Sequence, residues 1–191
     1  MKRIFSAGLL ALTAMTFDLR ADIIPTLSSI DPAGANFSWN YSANVTTDQR
    51  VQGTDFFTIY DFGSIVAGSA TQPAGWSFST SLSGVTPAQI APNDDPNVLN
   101  LTWTYNGAGQ IGGPAPLGTF SVLTTTNQAR SDDFAAQGTR SGGPDIGTKV
   151  NNVGIVSVPV PEMSALAPMI GVCGIGLIGF LTSFLRKRRL S

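Results

Sequence analysis

The chain contains no histidine, and its one cysteine, Cys173, lies inside a long apolar run near the C-terminus. Without an imidazole there is no Ser-His-Asp or Cys-His catalysis and no histidine metal ligand. The residues before that run hold no thiol nucleophile and no disulfide, so a domain there depends on a packed core. Glu162 is the only glutamate, and Lys149 is the only lysine between Asp22 and Pro161. Charge is scarce as well: 12% of the residues are charged and 42% hydrophobic. The acid–base repertoire therefore reduces to aspartates.

Ten aspartates stand between Asp22 and Pro161: Asp22, Asp31, Asp48, Asp55, Asp61, Asp94, Asp95, Asp132, Asp133 and Asp145. Four bases oppose them, Arg50, Arg130, Arg140 and Lys149, which leaves this stretch at a net of about minus six within a whole-chain value of −1. Such a surface repels nucleic acid and anionic lipid, so no nucleic-acid partner is expected. A glycosidase needs two carboxyls roughly 5–10 Å apart. Asp55 and Asp61 are the one pair set in an apolar strand, and six residues of strand separate them by about 20 Å. They read as acids flanking or ending that strand. No catalytic residue and no cofactor-binding residue is expected, and the chain is not read as an enzyme.

Calcium is a weaker candidate. Asn93, Asp94, Asp95 and Asn97 cluster in one turn, and Asp132-Asp133 form another acidic step. Calcium takes six to eight oxygens, often from such loops. The same composition makes an Asn/Asp/Pro turn whose side chains cap their own backbone, and no EF-hand spacing supports the metal.

Periodicity points to an all-β, antiparallel β-sandwich, jelly-roll or Ig-like, over residues 22–158. From Asn36 to Val45 the alternation is strict, with Phe37, Trp39, Tyr41, Ala43 and Val45 on one side and Asn or Ser on the other. Trp76, Phe78, Thr80 and Leu82 alternate with serines; Leu99, Leu101, Trp103 and Tyr105 alternate with Asn100, Thr102 and Thr104. Phe56 to Phe62 is apolar on both faces, as a central strand is. Shorter strands are expected near Thr26–Ile30, Thr119–Leu123, Phe134–Thr139 and Val153–Val158. The segments Asn36–Tyr41 and Asn100–Tyr105 share an order of residue types, which half-buried aromatic strands reach by convergence. Trp39, Trp76 and Trp103 are candidates for stacking on sugar rings, but each is in phase with its strand's apolar residues, so burial is the simpler assignment.

Both ends carry delivery signals. Met1-Lys2-Arg3 followed by apolar Ile4 to Phe17 reads as a Sec signal peptide over residues 1–21, cleaved after Ala21. No cysteine follows it to accept a lipid anchor. At the other end, Ala165 to Leu185 is uncharged and long enough for a helix across a hydrocarbon core of roughly 30 Å. The basic cluster Arg186, Lys187, Arg188 and Arg189 behind it is expected to stay cytoplasmic, leaving the preceding domain outside.

Pro161, Glu162, Met163 and Ser164, the glycine-rich span and the terminal basic knot together resemble the PEP-CTERM sorting signal of Gram-negative bacteria. The common form has proline where this chain has Met163. The resemblance implies recognition by an exosortase, removal of the tail, and release or attachment at the cell surface. It also implies an association with exopolysaccharide and biofilm. Asp55–Phe62, Pro73–Trp76 and Asn100–Tyr105 are similar to a sandwich-type ectodomain of PEP-CTERM proteins, a likeness that implies no activity. Two function classes follow for the exported domain: a non-catalytic surface or matrix component, and a carbohydrate-binding module that retains polysaccharide at the envelope.

Overall fold

The computed structural model describes residues 23–160. The expected signal peptide, sorting motif, membrane span and basic tail lie outside these residues, and among the described residues no helix is long and apolar enough to cross a membrane. The fold is all-β with antiparallel sheets, one of them curled into a half-barrel. Ten strand segments follow one another: β1 (Ile23–Ala33), β2 (Asn36–Val45), β3 (Gln49–Val51), β4 (Phe56–Ile59), β5 (Trp76–Ser81), β6 (Asn100–Tyr105), β7 (Ile111–Gly112), β8 (Ala115–Thr124), β9 (Ala129–Arg140) and β10 (Lys149–Pro159).

The smaller sheet has the order β1-β2-β8. Its first hairpin closes through Gly34 and Ala35, with Ala33 opposite Asn36 and Gly34 at φ +66°, a backbone that costs glycine little at the first position of a tight turn. Pro25 and Pro32 sit on β1, an edge strand, where a missing N–H breaks no ladder. The free edge of β8 is covered by residues 66–71: Val66 N–H donates to Leu123, Thr71 exchanges both backbone bonds with Ser121, and Ser69 Oγ accepts from Leu123 N–H.

The larger sheet has the order β5-β6-β4-β9-β3-β7, with β10 on the other side of β9. β3 and β4 both pair with β9, at Gln49–Arg50 and Phe56–Ile59, so they are one strand broken by residues 52–55. β6 and β7 lie beside them in the same way. The expected strand through Phe62 ends at Ile59, because Asp61 turns left-handed at φ +49°. Leu82 is a second correction: β5 ends at Ser81, and Leu82 is 52% exposed.

One core lies between the sheets. Phe120 from β8 enters a cage of Phe57, Trp76 and Trp103 from the larger sheet, with ring centroids 5.0, 5.0 and 5.7 Å away. Phe57 also stacks on Trp103 at 5.2 Å. Such pairs contribute about 0.5–1.5 kcal/mol each beyond the area they bury. Trp39 and Tyr41 meet Phe62 edge-on, closing the core beneath β2.

Candidate functional site

All three tryptophans face inward: Trp39, Trp76 and Trp103 are 0%, 7% and 0% exposed. Trp39 Nε1 donates to the Thr126 carbonyl at 2.9 Å, while Trp103 Nε1 has no hydrogen-bond partner among the described residues. Among the described residues no aromatic ring is fully exposed, Phe37 and Phe78 being half-buried. The polar face of the first hairpin, the other surface suited to sugar hydroxyls, is engaged with itself. Asn40 donates to Ser29 Oγ and Asp31, Ser29 donates to Asp31, and Ser38 donates to Asn40 Oδ1.

The outer face of the larger sheet is covered by residues 82–99. Thr58 and Tyr60 hydroxyls both donate to the Val85 carbonyl, at 2.7 and 2.9 Å, and Thr58 also meets Thr102 at 2.9 Å. Gly84 lies so close to the Tyr60 ring that a Cβ there would come within 2.3 Å of it. Burial pushes the Tyr60 phenol up.

This strap carries the turn considered for calcium, and its carboxylates already accept backbone and amide N–H groups. Asp94 accepts from Gly84 N–H and from Asn100 Nδ2, and Asp95 Oδ1 accepts from both N–H groups of Asn97. Asn93 N–H donates to Asp133, and Asp95 N–H donates to Asp61. Asp132 is ion-paired with Arg130, whose Nη2 also donates to the Asp61 carbonyl. Among the described residues no three His, Cys, Asp or Glu side chains form a group suited to a metal ion. Burial, and then the charges of Asp132 and Asp94, raise the Asp61 carboxyl above its ordinary value against the lowering effect of the Asp95 N–H. Asp95 is lowered by the Asn97 donors.

Asp55 and Asp61 flank β4 rather than share its face, one in the break before it and one in the left-handed turn after it. Asp55 is fully buried. It accepts from Gln52 N–H and from the Thr139 hydroxyl, each at 2.9 Å, and pairs with Lys149 Nζ. The carboxylate thus closes the strand break and ties it to β9 and β10. Lys149 and Arg130 are the partners that sequence reasoning missed. The signal available was that Lys149 is the domain's one lysine, while Asp55 opens an apolar strand that needs a counter-charge.

A cleft of about 210 Å³ opens where the β9–β10 hairpin meets residues 88–90. Arg140, Asp145 and Lys149 line it, and no sequence pattern had joined these residues. Pro161, Glu162, Met163, Ser164 and the tail cations lie outside the described residues. Compared with protein-family models, with curated proteins and with solved structures, the chain matches none.

Proposed function

We propose that the chain is a non-catalytic exported protein of the cell surface or extracellular matrix, made through the Sec translocon and sorted by an exosortase. Its ectodomain is read as a β-sandwich of jelly-roll or Ig-like kind, a reading supported by two antiparallel sheets around one aromatic core. One observation carries the functional choice. The residues that could have formed a sugar platform or an acid pair, three tryptophans and the flanking aspartates, are committed to packing and to backbone N–H groups. That supports a structural component over a carbohydrate-binding module built on aromatic stacking. Residues 1–21 and 159–191 supply the delivery, and exopolysaccharide is the expected neighbour of the delivered domain.

The experiment is Glu162→Ala in a host that has an exosortase. Pro159 and Pro161 disfavour helix and keep the approach to the motif extended for a processing enzyme. The variant is expected to be exported and inserted normally, and to keep its tail at the larger mass while the wild type loses it. Intact-mass spectrometry decides, and retention of residues 163–191 by both proteins overturns exosortase processing. Saturable, tryptophan-dependent capture of the wild type on polysaccharide would favour the binding-module reading.

A further inference from the structure

The cleft beside the β9–β10 hairpin brings together two charged side chains without partners among the described residues. The ion pairs among the described residues are Arg130–Asp132 and Lys149–Asp55, and Arg50 donates to Gln52. Arg140 is the remaining base, half-buried, and its guanidinium makes no hydrogen bond or ion pair among the described residues, which hold nine aspartates. Asp145 lines the same cleft. Its backbone carbonyl accepts from the Thr148 N–H and hydroxyl, but its carboxylate has no partner among the described residues and does not pair with Arg140.

The backbone that carries these two groups is fixed. Arg140 and Thr148 bond through their backbones, as do Gly147 and Arg140, which fixes the base of the hairpin. Lys149 on the cleft lining is neutralised by Asp55 and held by Thr139 Oγ1 at 3.1 Å. The opposite wall is pinned by Asn151 Nδ2, which donates to the Ala88 carbonyl at 2.7 Å. Beside Ala88, Gln89 sits in the left-handed region at φ +68°, a strained backbone for a non-glycine residue and of the kind that clusters at binding sites. Ala88, Ile90 and Val150 supply the apolar part of the lining.

We propose that this cleft binds a small zwitterion of the free α-amino acid type. A guanidinium fork accepts a carboxylate in two parallel hydrogen bonds. A carboxylate that faces the same space without pairing to that fork suits an ammonium group. Among the residues that line the cleft, Lys149 is paired with Asp55 while Arg140 and Asp145 are of opposite sign, so a ligand carrying both signs can match each of them. A simple anion would leave Asp145 facing it. The volume of about 210 Å³ is below the range for drug-sized ligands. The short apolar stretch of the lining leaves room for a small aliphatic side chain.

The test is ligand-observed saturation-transfer NMR on the full-length protein in detergent, with L-alanine, L-lactate and propanoate as probes. Lactate replaces the ammonium by a hydroxyl, and propanoate removes it. L-Alanine is expected to saturate at roughly millimolar concentration and to bind more tightly than both others. Arg140→Gln weakens all three, alanine by about tenfold or more. Asp145→Asn, on an exposed turn, abolishes alanine's advantage over lactate and, by removing the carboxylate that faces an anion, strengthens propanoate. Equal binding of the three probes, insensitivity to both variants, or no saturable transfer to alanine overturns the proposal. Circular dichroism of each variant separates lost binding from lost fold.

Discussion

The two faces of the larger sheet bury comparable strands by opposite means. Its inner face presents Phe57, Ile59, Leu101 and Trp103 to the core, where Phe57 and Trp103 pack against Phe120 from the other sheet. Its outer face presents Thr58 and Thr102, which are equally inaccessible but are covered by a strap held through hydroxyl-to-carbonyl bonds. The inner face is stabilised by area and ring geometry, the outer one by satisfied polar groups. Area burial tolerates imperfect bonding, as the unpartnered Trp103 Nε1 shows. A polar layer does not, because each lost partner leaves a buried group unpaired.

The largest expected effect lies on the inner face. Trp103→Ala should destabilise the protein by about 3–5 kcal/mol in chemical denaturation, with Trp39→Ala in the same range. The paired substitutions to phenylalanine sharpen the point. Trp39→Phe should cost more than Trp103→Phe, since only Trp39 gives up a hydrogen bond, to Thr126. The reverse order would mean that ring shape, rather than the indole N–H, governs both sites.

Next is the buried carboxylate. Lys149→Met leaves Asp55 buried without its cation and should cost about 2–3 kcal/mol, somewhat below the figure for a wholly buried pair because Lys149 reaches solvent. Lys149→Met together with Asp55→Leu should recover part of that loss. A loss below about 0.5 kcal/mol for the single substitution would show that Asp55 needs no counter-charge.

On the outer face, Thr58→Val removes the donor to Val85 and should cost about 1–2 kcal/mol. The strap, rather than the core, should respond: amide exchange at residues 84–86 speeds up while that of Phe57 and Trp103 is unchanged. Uniform acceleration would show that the two faces are not separate in energy.

The smallest effect concerns Asp61, and its sign is the information. The folded-state carboxyl is raised, so the stability it contributes is complete below its unfolded value near pH 3.8 and is lost as pH rises through the folded value. Asp61→Asn keeps an acceptor for the Asp95 N–H and tolerates the left-handed backbone. The variant should gain stability relative to wild type as pH rises from about 4 to 7, the difference fading in acid. Asp95 works the other way, its lowered carboxyl contributing above its unfolded value and losing that contribution as pH falls.

Much of this fold was legible where one strand face is wet. β2 occupies the residues its alternation marks, Asn36–Val45, and the apolar halves of β8, β9 and β10 were recognisable. Of the remaining halves, Ala115–Gly118 is interrupted by Pro116 and Gly118, which hide its one buried residue, Leu117, and Ala129–Asp133 is largely polar, so neither carries an apolar period. β3 and β7 have three and two residues, too short for any period to register. The inward placement of the tryptophans followed from phase. The ties that decide the candidate sites did not, since Asp55 meets Lys149 and Asn93 meets Asp133 across the fold rather than along the chain. Local spacing makes the Asn93–Asn97 turn resemble an ion loop, while its actual partners come from Gly84, Asn100 and Asp61.

The claim that the aromatic rings serve the core rather than an exposed binding strip is open to one direct measurement, acrylamide quenching of tryptophan fluorescence in the folded full-length protein. Trp39, Trp76 and Trp103 are at most 7% exposed, so emission should be blue-shifted and nearly insensitive to the quencher until denaturant is added. Quenching in the native state approaching that of the unfolded chain would place at least one indole at the surface and contradict the account.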